Sequence, residues 1–315
     1  MRVCVAGGTG TIGRAVVREL ARHGHEVRCL SRRPDDSLPT GVRILLADLS
    51  DKKALGRIFD EGRFDAVISC IASRTGVPDD AWAVDHRANL NLLDAAKAAG
   101  VGHFVLLSAI CVQKPLLAFQ HAKLAFETEL AASGLRYSIV RPTAFFKSLS
   151  GQIERVRAGK PFLVFGDGEL TACKPISDGD LAAYIADCLT LEERWNRILP
   201  IGGPGPALTP RAQGEALFAL LGKAPRFRSV PLGLLDAIAG MLALAGKVVP
   251  GLATKAELAR IGRYYASESM LVLDPATGRY DADATPSTGS ETLLDHYRAV
   301  LEGRASVDRG DHAVF

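Results

Sequence analysis

The chain lacks paired cysteines, a strong charge of either sign and a long uninterrupted apolar run. Its six cysteines are scattered without CxxC spacing, which argues against a zinc site or a disulfide framework and predicts a reduced, cytosolic protein. The net charge is +3 and no run of five like charges occurs, so no nucleic-acid partner is expected. The four apolar residues before the first glycine are too few for a signal-peptide core.

The most apolar stretch, residues 230–253, also contains Asp236, Lys247 and two prolines. Its uninterrupted part is shorter than the roughly 20 residues that a membrane-spanning helix needs, so no transmembrane segment is expected. A buried helix at 232–246 is the favoured interpretation. A helix on a membrane surface and a helix lining the pocket of a large apolar ligand stay open as alternatives.

What the chain does have is a glycine-rich turn directly after its first apolar run, Val3–Ala6. An amphipathic stretch then begins near Thr11. This order is typical of the strand, turn and helix start with which a Rossmann unit binds a pyrophosphate. Glycine lets backbone N–H groups approach the phosphates, and the helix start favours negative charge. A plain turn between packed elements is the alternative. The predicted phosphate-binding residues are Gly7, Thr9, Gly10, Thr11, Ile12 and Gly13.

Strand and helix patterns alternate through the first half of the chain. Mostly continuous apolar runs predict six strands, at Val3–Ala6, Glu26–Leu30, Val42–Ala47, Asp65–Ile71, His103–Ser108 and Arg136–Val140. Helices are predicted between them, at 11–23, 51–60, 80–99 and 116–133. This alternation indicates an α/β fold, a Rossmann-type doubly wound parallel sheet that binds ligands at the carboxyl ends of its strands.

The pattern changes after Arg141-Pro142. Further helices are predicted at 144–158, 178–191, 232–246 and 254–267, with another starting at Thr209-Pro210, and short strands at Phe162–Phe165 and Ile198–Ile201. The expected organisation is a Rossmann domain at 1–143, a smaller, mainly helical substrate-binding region at 144–302 that is interleaved with it, and a flexible tail at 303–315.

The residues after the second strand bear on the choice of cofactor. NAD-binding units usually carry an acid for the ribose hydroxyls about twenty residues beyond the glycines, where this chain has Arg32 and Arg33. Because an arginine can pair with a 2′-phosphate, these residues predict NADPH rather than NADH. Asp35 and Asp36 follow closely as alternative ribose acids, and a solvated arginine pair is the third interpretation.

The spacing of Gly7, Gly10 and Gly13 resembles that of the extended and atypical (NmrA-like) short-chain dehydrogenases/reductases. Ala47-Asp48-Leu49 is similar to the adenine contact of that superfamily, and Ser69-Cys70-Ile71-Ala72 to the small-residue turn that passes the cofactor. The resemblance implies further cofactor contacts from Asp48, Leu49, Ile71, Ala72, Lys123, Pro142, Thr143 and Phe145.

Four longer runs resemble one family more closely, the 3,8-divinyl (proto)chlorophyllide 8-vinyl reductases of chlorophyll and bacteriochlorophyll synthesis. The runs are Leu106–Lys123, Tyr137–Ser148, Phe165–Ser177 and Gly262–Gly278, and the resemblance spans residues 1–302. It implies an NADPH-dependent enzyme that reduces the 8-vinyl group of the tetrapyrrole divinyl chlorophyllide a, or of its protochlorophyllide, to 8-ethyl. No residue is assigned to a metal.

The superfamily's catalytic set is a serine, a tyrosine and a lysine four residues after the tyrosine, with the phenol as proton donor. Ser108 and Lys123 match this set, but Phe119 stands at the tyrosine position. A vinyl group takes a hydride and a proton on carbon, so the missing phenol fits the implied substrate. Lys123 is predicted to hold the nicotinamide ribose and to orient a proton donor, with Ser108 as the weaker catalytic candidate. An exposed helix lysine and a loop-capping serine are the alternatives.

Lesser candidates surround this set. The imidazole of His121 could act as an acid near neutral pH. Its spacing places it opposite Lys123 on the helix, so a structural or exposed position is favoured. Basic side chains for a substrate carboxylate are available at Lys147, Arg155, Arg157 and Lys174, although a solvated basic face accounts for them equally well.

Two other functions stay open at this point. One is a non-catalytic NADP-binding sensor or photosystem assembly factor of the same atypical group, and the other is a reductase for double bonds or ethers of phenolic metabolites. The expected location is the cytoplasm, with peripheral contact at a photosynthetic membrane as an alternative. The oligomeric state is left undecided.

Overall fold

The computed structural model of the protein describes residues 1–306. The strands are β1 (Arg2–Ala6), β2 (Glu26–Ser31), β3 (Arg43–Leu46), β4 (Ala66–Ser69), β5 (His103–Leu107), β6 (Arg136–Pro142), β7 (Phe162–Phe165), β8 (Arg197–Ile201), β9 (Phe227–Val230), β10 (Val272–Leu273) and β11 (Tyr280–Asp281).

The α-helices alternate with these strands in the first half of the chain and dominate the second half. They are α1 (Thr11–Arg22), α2 (Lys52–Gly62), α3 (Pro78–Ala81), α4 (Asn89–Ala98), α5 (Ala118–Ala131), α6 (Phe146–Leu149), α7 (Ile153–Arg157), α8 (Asp178–Asp187), α9 (Pro210–Leu220), α10 (Leu232–Gly246), α11 (Pro250–Tyr265) and α12 (Leu293–Leu301).

The main sheet has seven strands in the order β3-β2-β1-β4-β5-β6-β8. The neighbours from β3 to β6 pair in parallel, and Val3 of β1 lies opposite both Val27 of β2 and Ala66 of β4. The strands that follow β1 in the chain are thus added first on one side of it, as β2 and β3, and then on its other side, as β4 to β6. This reversal places a topological switch point at the end of β1. The predicted doubly wound Rossmann fold is confirmed, and the strand predicted at 198–201 joins this sheet as β8.

The chain divides into two compact units. The first comprises Met1–Ser73, Pro78–Pro142 and Asp178–Pro200. In its interior, apolar side chains on one face of the sheet meet those of α2, α4 and α5. The residues that alternate with them, such as Val3, Val5 and Val105, are buried as well, so both faces are covered and the strands are continuous apolar runs. Among the buried side chains there are Phe59, Leu92, Phe104, Phe126 and Ile139.

The second unit comprises Arg74–Val77, Thr143–Ser177 and the chain from Ile201 onward. It contains a parallel pair, β7 with β9, and an antiparallel pair, β10 with β11. Its core includes Phe146, Phe162, Leu217, Phe218 and Tyr297. The domain boundaries at 143 and 302 remain a prediction. Of the predicted tail at 303–315, residues 307–315 lie outside the described residues.

Two predicted helices are interrupted. The helix expected at 80–99 consists of α3, a π-helical turn at Trp82–Ala88 and α4. The helix expected at 144–158 consists of α6, a 3₁₀ turn at Ser150–Gln152 and α7. Wider turns within helices often occur at functional sites, and the π-helical turn carries Asp85, whose carboxylate is almost completely buried.

The helix predicted at 232–246 has those bounds as α10, but the expectation that it is buried is wrong. Within this helix, all of which the structure describes, Ala239 is the one buried residue. Its composition is apolar on every side and therefore does not specify which face packs. Among residues 1–306, none of the helices combines the length and the apolar character needed to cross a bilayer.

We expect His103 to make the stability of the protein depend on pH. His103 is buried at the start of β5, with Nε2 3.1 Å from the Ser138 hydroxyl, and burial, together with the nearby Arg136, lowers its pKa to about 4. An unfolded histidine titrates near pH 6.5. As the pH falls from about 6.5 towards 4, the unfolded state therefore binds a proton that the folded state does not, and stability is lost.

Urea unfolding of the wild type and His103→Gln tests this expectation. From about pH 7.5 to about pH 5, the wild type should lose up to about 2 kcal/mol more of its unfolding free energy than the variant. The comparison with the variant cancels the titration of other groups. An equal loss in the two proteins would contradict the assignment.

Candidate active site

The glycine turn between β1 and α1 leaves no room for side chains. Gly7 has a φ of +77°, and a Cβ there would lie 2.7 Å from the backbone of Cys70. A Cβ at Gly13 would lie 2.0 Å from the Gly7 carbonyl oxygen. The Gly10 N–H donates to that same oxygen at 3.1 Å. Thr9 lies within the turn, and Thr11 and Ile12 begin α1, so the predicted phosphate-binding residues form one cradle.

Arg14, on the first turn of α1, is a feature that sequence reasoning missed. Its guanidinium lies 2.7 Å from the Asp35 carboxylate. Its Nε is buried and has no hydrogen-bond partner among the described residues. The Ser37 hydroxyl and N–H, with Arg14, lower the pKa of Asp35. Asp35, one of the two alternative ribose acids, is therefore already engaged, whereas Asp36 is exposed. A cation directly after the last glycine was the signal available for Arg14.

Arg32 and Arg33 are exposed just beyond the end of β2. The Ser31 hydroxyl donates to the Arg33 carbonyl oxygen at 2.7 Å, which fixes the backbone of this turn. Asp48 follows β3, and its carboxylate accepts hydrogen bonds from the N–H and hydroxyl of Ser50. These bonds, with a smaller effect of Arg32, lower the pKa of Asp48. Leu49, the neighbour of Asp48, is half-buried.

The remaining predicted cofactor contacts lie in both units. In the first unit, Ile71 is buried and Ala72 exposed after β4, and Pro142 ends β6. In the second unit, the Thr143 hydroxyl donates to the Lys174 carbonyl, and Phe145 forms a backbone bridge to Ile176. Their contacts with a cofactor stay predictions.

The residues of the first unit fit a dinucleotide. The cradle at Gly7 and Gly13 excludes any Cβ, which leaves the N–H groups at the start of α1 to donate hydrogen bonds to phosphate oxygens. The orphaned Nε of Arg14 supplies a buried donor beside this cradle. Arg32 and Arg33 add exposed cations at the end of β2, where a ribose is held in this fold.

Lys123 forms a buried ion pair with Asp85. Its Nζ lies 2.8 Å from Asp85 Oδ1, and the two side chains are 11% and 1% exposed. The alternative that Lys123 is an exposed helix lysine is therefore wrong. Asp85 also lies 3.4 Å from the Ser73 N–H. Because breaking a buried pair leaves an uncompensated charge, this contact fixes α5 against the π-helical turn.

The turn that carries Asp85 is itself tied to β4. The Asn89 side chain donates to the Asp85 carbonyl oxygen at 3.0 Å and accepts a 2.6 Å hydrogen bond from the Ser69 hydroxyl. All three residues are buried. A chain of polar contacts thus runs from the carboxyl end of β4 to Lys123. Sequence reasoning missed Asp85 and Asn89, because the π-helical turn was predicted as ordinary helix.

Ser108 belongs to a separate buried network. Its hydroxyl donates to the Glu127 carboxylate, which also pairs with Arg141, whose Nε lies 3.2 Å from Glu127. The alternative interpretation, in which the Ser108 hydroxyl caps the following loop, does not account for its bond to a side chain on α5. Glu127 lies one helical turn after Lys123 on α5. The catalytic role of Ser108 stays a prediction. Its contact with Glu127 anchors α5 to the end of β5, and Arg141 anchors the same carboxylate to β6.

The lesser candidates have other tasks or positions. Phe119 is buried on α5 and His121 is exposed, as its spacing predicts. In the second unit, Arg155 donates to the Pro161 carbonyl oxygen and Lys174 to that of Thr285. Both of these basic side chains therefore hold loops in place. Within residues 1–306, no group of three or more histidine, cysteine or acidic side chains could hold a metal ion.

This fold and cradle define a Rossmann-type NAD(P)H-binding protein. The family model described as NAD(P)H-binding matches residues 7–192. The chain is 53% identical to the divinyl chlorophyllide a 8-vinyl-reductase, chloroplastic, of Oryza sativa subsp. indica, over 99% of this chain and 82% of the relative. It therefore belongs to the divinyl chlorophyllide a 8-vinyl-reductase family.

Solved structures share the fold. The Thermus thermophilus UDP-glucose 4-epimerase, in complex with NAD, is 26% identical with a TM-score of 0.62, and the match covers 73% of this chain and 86% of that chain. The Escherichia coli NADPH-dependent quinone oxidoreductase QOR2, complexed with NADPH, is 18% identical with a TM-score of 0.66, and the match covers 95% and 99%. The family model shows that the chain binds NAD(P)H, and that the glycine cradle holds this cofactor stays a prediction.

Replacing Gly13 by alanine should abolish dinucleotide binding. The new Cβ would meet the Gly7 carbonyl oxygen at 2.0 Å, so α1 must move away from the turn that holds the phosphates. We expect Kd for NADPH to rise at least about a hundredfold, measured by fluorescence titration, since a displaced cradle loses several charge-assisted hydrogen bonds. Gly56→Ala on α2 is the matched control, because no atom lies near its added methyl group. Wild-type affinity in Gly13→Ala would refute the cradle.

Proposed function

We propose that this chain reduces the 8-vinyl group of 3,8-divinyl chlorophyllide a to an ethyl group with NADPH. The observation that carries the proposal is the 53% identity to a reductase of that name across 99% of the chain. This identity favours the reductase over a non-catalytic sensor or assembly factor and over a reductase of phenolic metabolites. Protochlorophyllide is the alternative form of the same substrate class.

NADPH is favoured over NADH by the charges after β2. Asp35 is bonded to Arg14 and Ser37, so its carboxylate is not free to accept both ribose hydroxyls. Arg32 and Arg33 are exposed there, and a guanidinium pairs well with a phosphate. We therefore assign the 2′-phosphate to this arginine pair and the pyrophosphate to the glycine cradle with Arg14.

Lys123 is suited to hold the nicotinamide ribose. A lysine ammonium has three N–H donors, and Asp85 accepts one of them, which leaves two that can bond ribose hydroxyls. Asp85 fixes the ammonium in place, so little side-chain freedom is lost when a cofactor binds. Bound NADPH supplies the hydride.

The absence of a phenol at residue 119 agrees with the bonds that change. Reduction of a vinyl group adds a hydride to one carbon and a proton to the other, and oxidises NADPH to NADP⁺. The charge that develops spreads into the conjugated ring, so no acid is needed beside an oxygen atom. Phe119 is buried and apolar, and we infer that the proton comes from another side chain or from water.

Turnover with the substrate tests the proposed function. Purified protein mixed with NADPH and divinyl chlorophyllide a should produce the small blue shift of the Soret absorption that accompanies loss of the vinyl group. NADH should support a slower reaction, because it lacks the 2′-phosphate that Arg32 and Arg33 would bind. Tight NADPH binding without any shift would favour the sensor, and turnover of phenolic compounds alone would favour the third function.

Substitution of Lys123 should impair cofactor binding and the reaction together. We expect Lys123→Ala to lower kcat/KM by about a hundredfold and to weaken NADPH binding, since buried hydrogen bonds to a charged group contribute about 1.5–3 kcal/mol each. Asp85→Asn, which keeps a polar side chain of equal size, should raise KM for NADPH with a smaller loss of kcat.

His121→Ala is the matched control on the same helix, because His121 is exposed. Circular dichroism and thermal unfolding would establish that each variant is folded before its activity is compared. Wild-type activity and unchanged NADPH affinity in folded Lys123→Ala would remove Lys123 from the mechanism.

A further inference from the structure

Helices α10 and α11 and the turn between them, residues 232–265, form what we call the apolar hairpin. Met241 and Leu244 are 65% and 68% exposed, and Val248 is 84% exposed. Leu234, Ala237, Met241 and Leu244 recur every three or four residues and so share one face of α10. Val248 follows in the turn after this helix. A helix that is apolar on all sides is normally buried, and this one leaves large apolar side chains in water.

The charges of the apolar hairpin are mostly positive. It contains four basic residues and two acidic ones. Both acids are engaged, Asp236 with Arg263 at 3.0 Å and Glu257 with Arg260 at 2.9 Å.

Two lysines of the apolar hairpin stay uncompensated. Lys247 and Lys255 are exposed, and neither has an ion-pair partner among residues 1–306. Lys247 directly precedes the exposed Val248. The uncompensated charge of the hairpin is thus entirely of one sign, and part of it adjoins an exposed apolar side chain.

We propose that the apolar hairpin docks on the surface of a bilayer that contains anionic lipids. A helix with exposed apolar side chains beside lysines lies in the plane of the interface, its apolar face among the acyl chains and its cations at the headgroups. Each lysine near an anionic surface contributes to this attraction. A second copy of the chain would carry the same positive charge, whereas an anionic headgroup layer complements it. The hairpin cannot span the bilayer, because neither helix is long and apolar enough.

Vesicle flotation with the full chain tests this proposal. The wild type should float with vesicles of phosphatidylcholine and phosphatidylglycerol and much less with phosphatidylcholine alone. Met241→Glu with Leu244→Glu should weaken the partition by at least about tenfold, because carboxylates then face the acyl chains. Lys247→Gln with Lys255→Gln should reduce binding to the anionic vesicles and leave the weak binding to neutral vesicles unchanged.

A matched control separates the apolar hairpin from apolar residues in general. Leu116→Glu with Ile198→Glu makes the same change of charge in the first unit, at side chains that are 63% and 48% exposed. This control should float like the wild type. NADPH affinity measured on every variant would verify that each is folded, and flotation reports lipid binding whether or not the chain reduces a tetrapyrrole.

Three results would overturn the proposal. The first is failure of the wild type to float with anionic vesicles, and the second is flotation of the Met241→Glu/Leu244→Glu variant equal to that of the wild type. The third is a wild-type dimer in analytical ultracentrifugation that this variant abolishes, together with no binding of the wild type to vesicles. The last result would assign the apolar face to a second copy of the chain. As a direct readout, tryptophan at position 244 (Leu244→Trp) should shift its emission to the blue when anionic vesicles are added.

Discussion

The close approach of Gly13 to the Gly7 carbonyl oxygen is the constraint on which the cofactor side of this protein depends. With no Cβ between them, α1 can begin directly above the end of β1, where the strand order of the sheet reverses. The first amides of α1 are then available to the phosphates that we propose for this turn, and their partial positive charge acts over a short distance. The same closeness brings Arg14 to the edge of β2, where it takes Asp35 as its partner.

The second organising contact is the pair of Lys123 and Asp85. Two charges in a largely buried place are favourable only if further polar contacts support them, and here the Ser73 N–H, Asn89 and Ser69 do so. The support comes from β4, and the lysine from the helix that precedes β6. The pair therefore joins the connection between β4 and β5 to the connection between β5 and β6. The Ser108–Glu127–Arg141 network fixes the same helix one turn further along, so α5 is held at two successive positions.

Much of the first unit follows from local patterns. Continuous apolar runs predict buried parallel strands, and each of the six predicted strands of the first half is present with its ends shifted by at most two residues. The phosphate cradle was predictable because its glycines stand where the backbone approaches too closely for any Cβ. Asp85 was not predictable, because its partner lies 38 positions away in sequence and the π-helical stretch of seven residues is too short to stand out from the helical pattern around it. For Ser108 the position in the chain matched a catalytic motif, but the motif did not predict its hydrogen-bond partner, Glu127, which lies on the next helix.

The same distinction explains why α10 was predicted with the right bounds and the wrong environment. Apolar composition specifies that a helix prefers to leave water, but it does not specify what replaces the water. For the strands of the main sheet the replacement is the protein interior, because alternating helices follow in the chain and cover both faces. After α10 the chain supplies one covering helix, α11, and leaves Met241, Leu244 and Val248 exposed. The exposed face of this helix, and the two lysines that the rest of the hairpin leaves without a partner acid, are best explained by an apolar phase outside the polypeptide, bordered by negative charge.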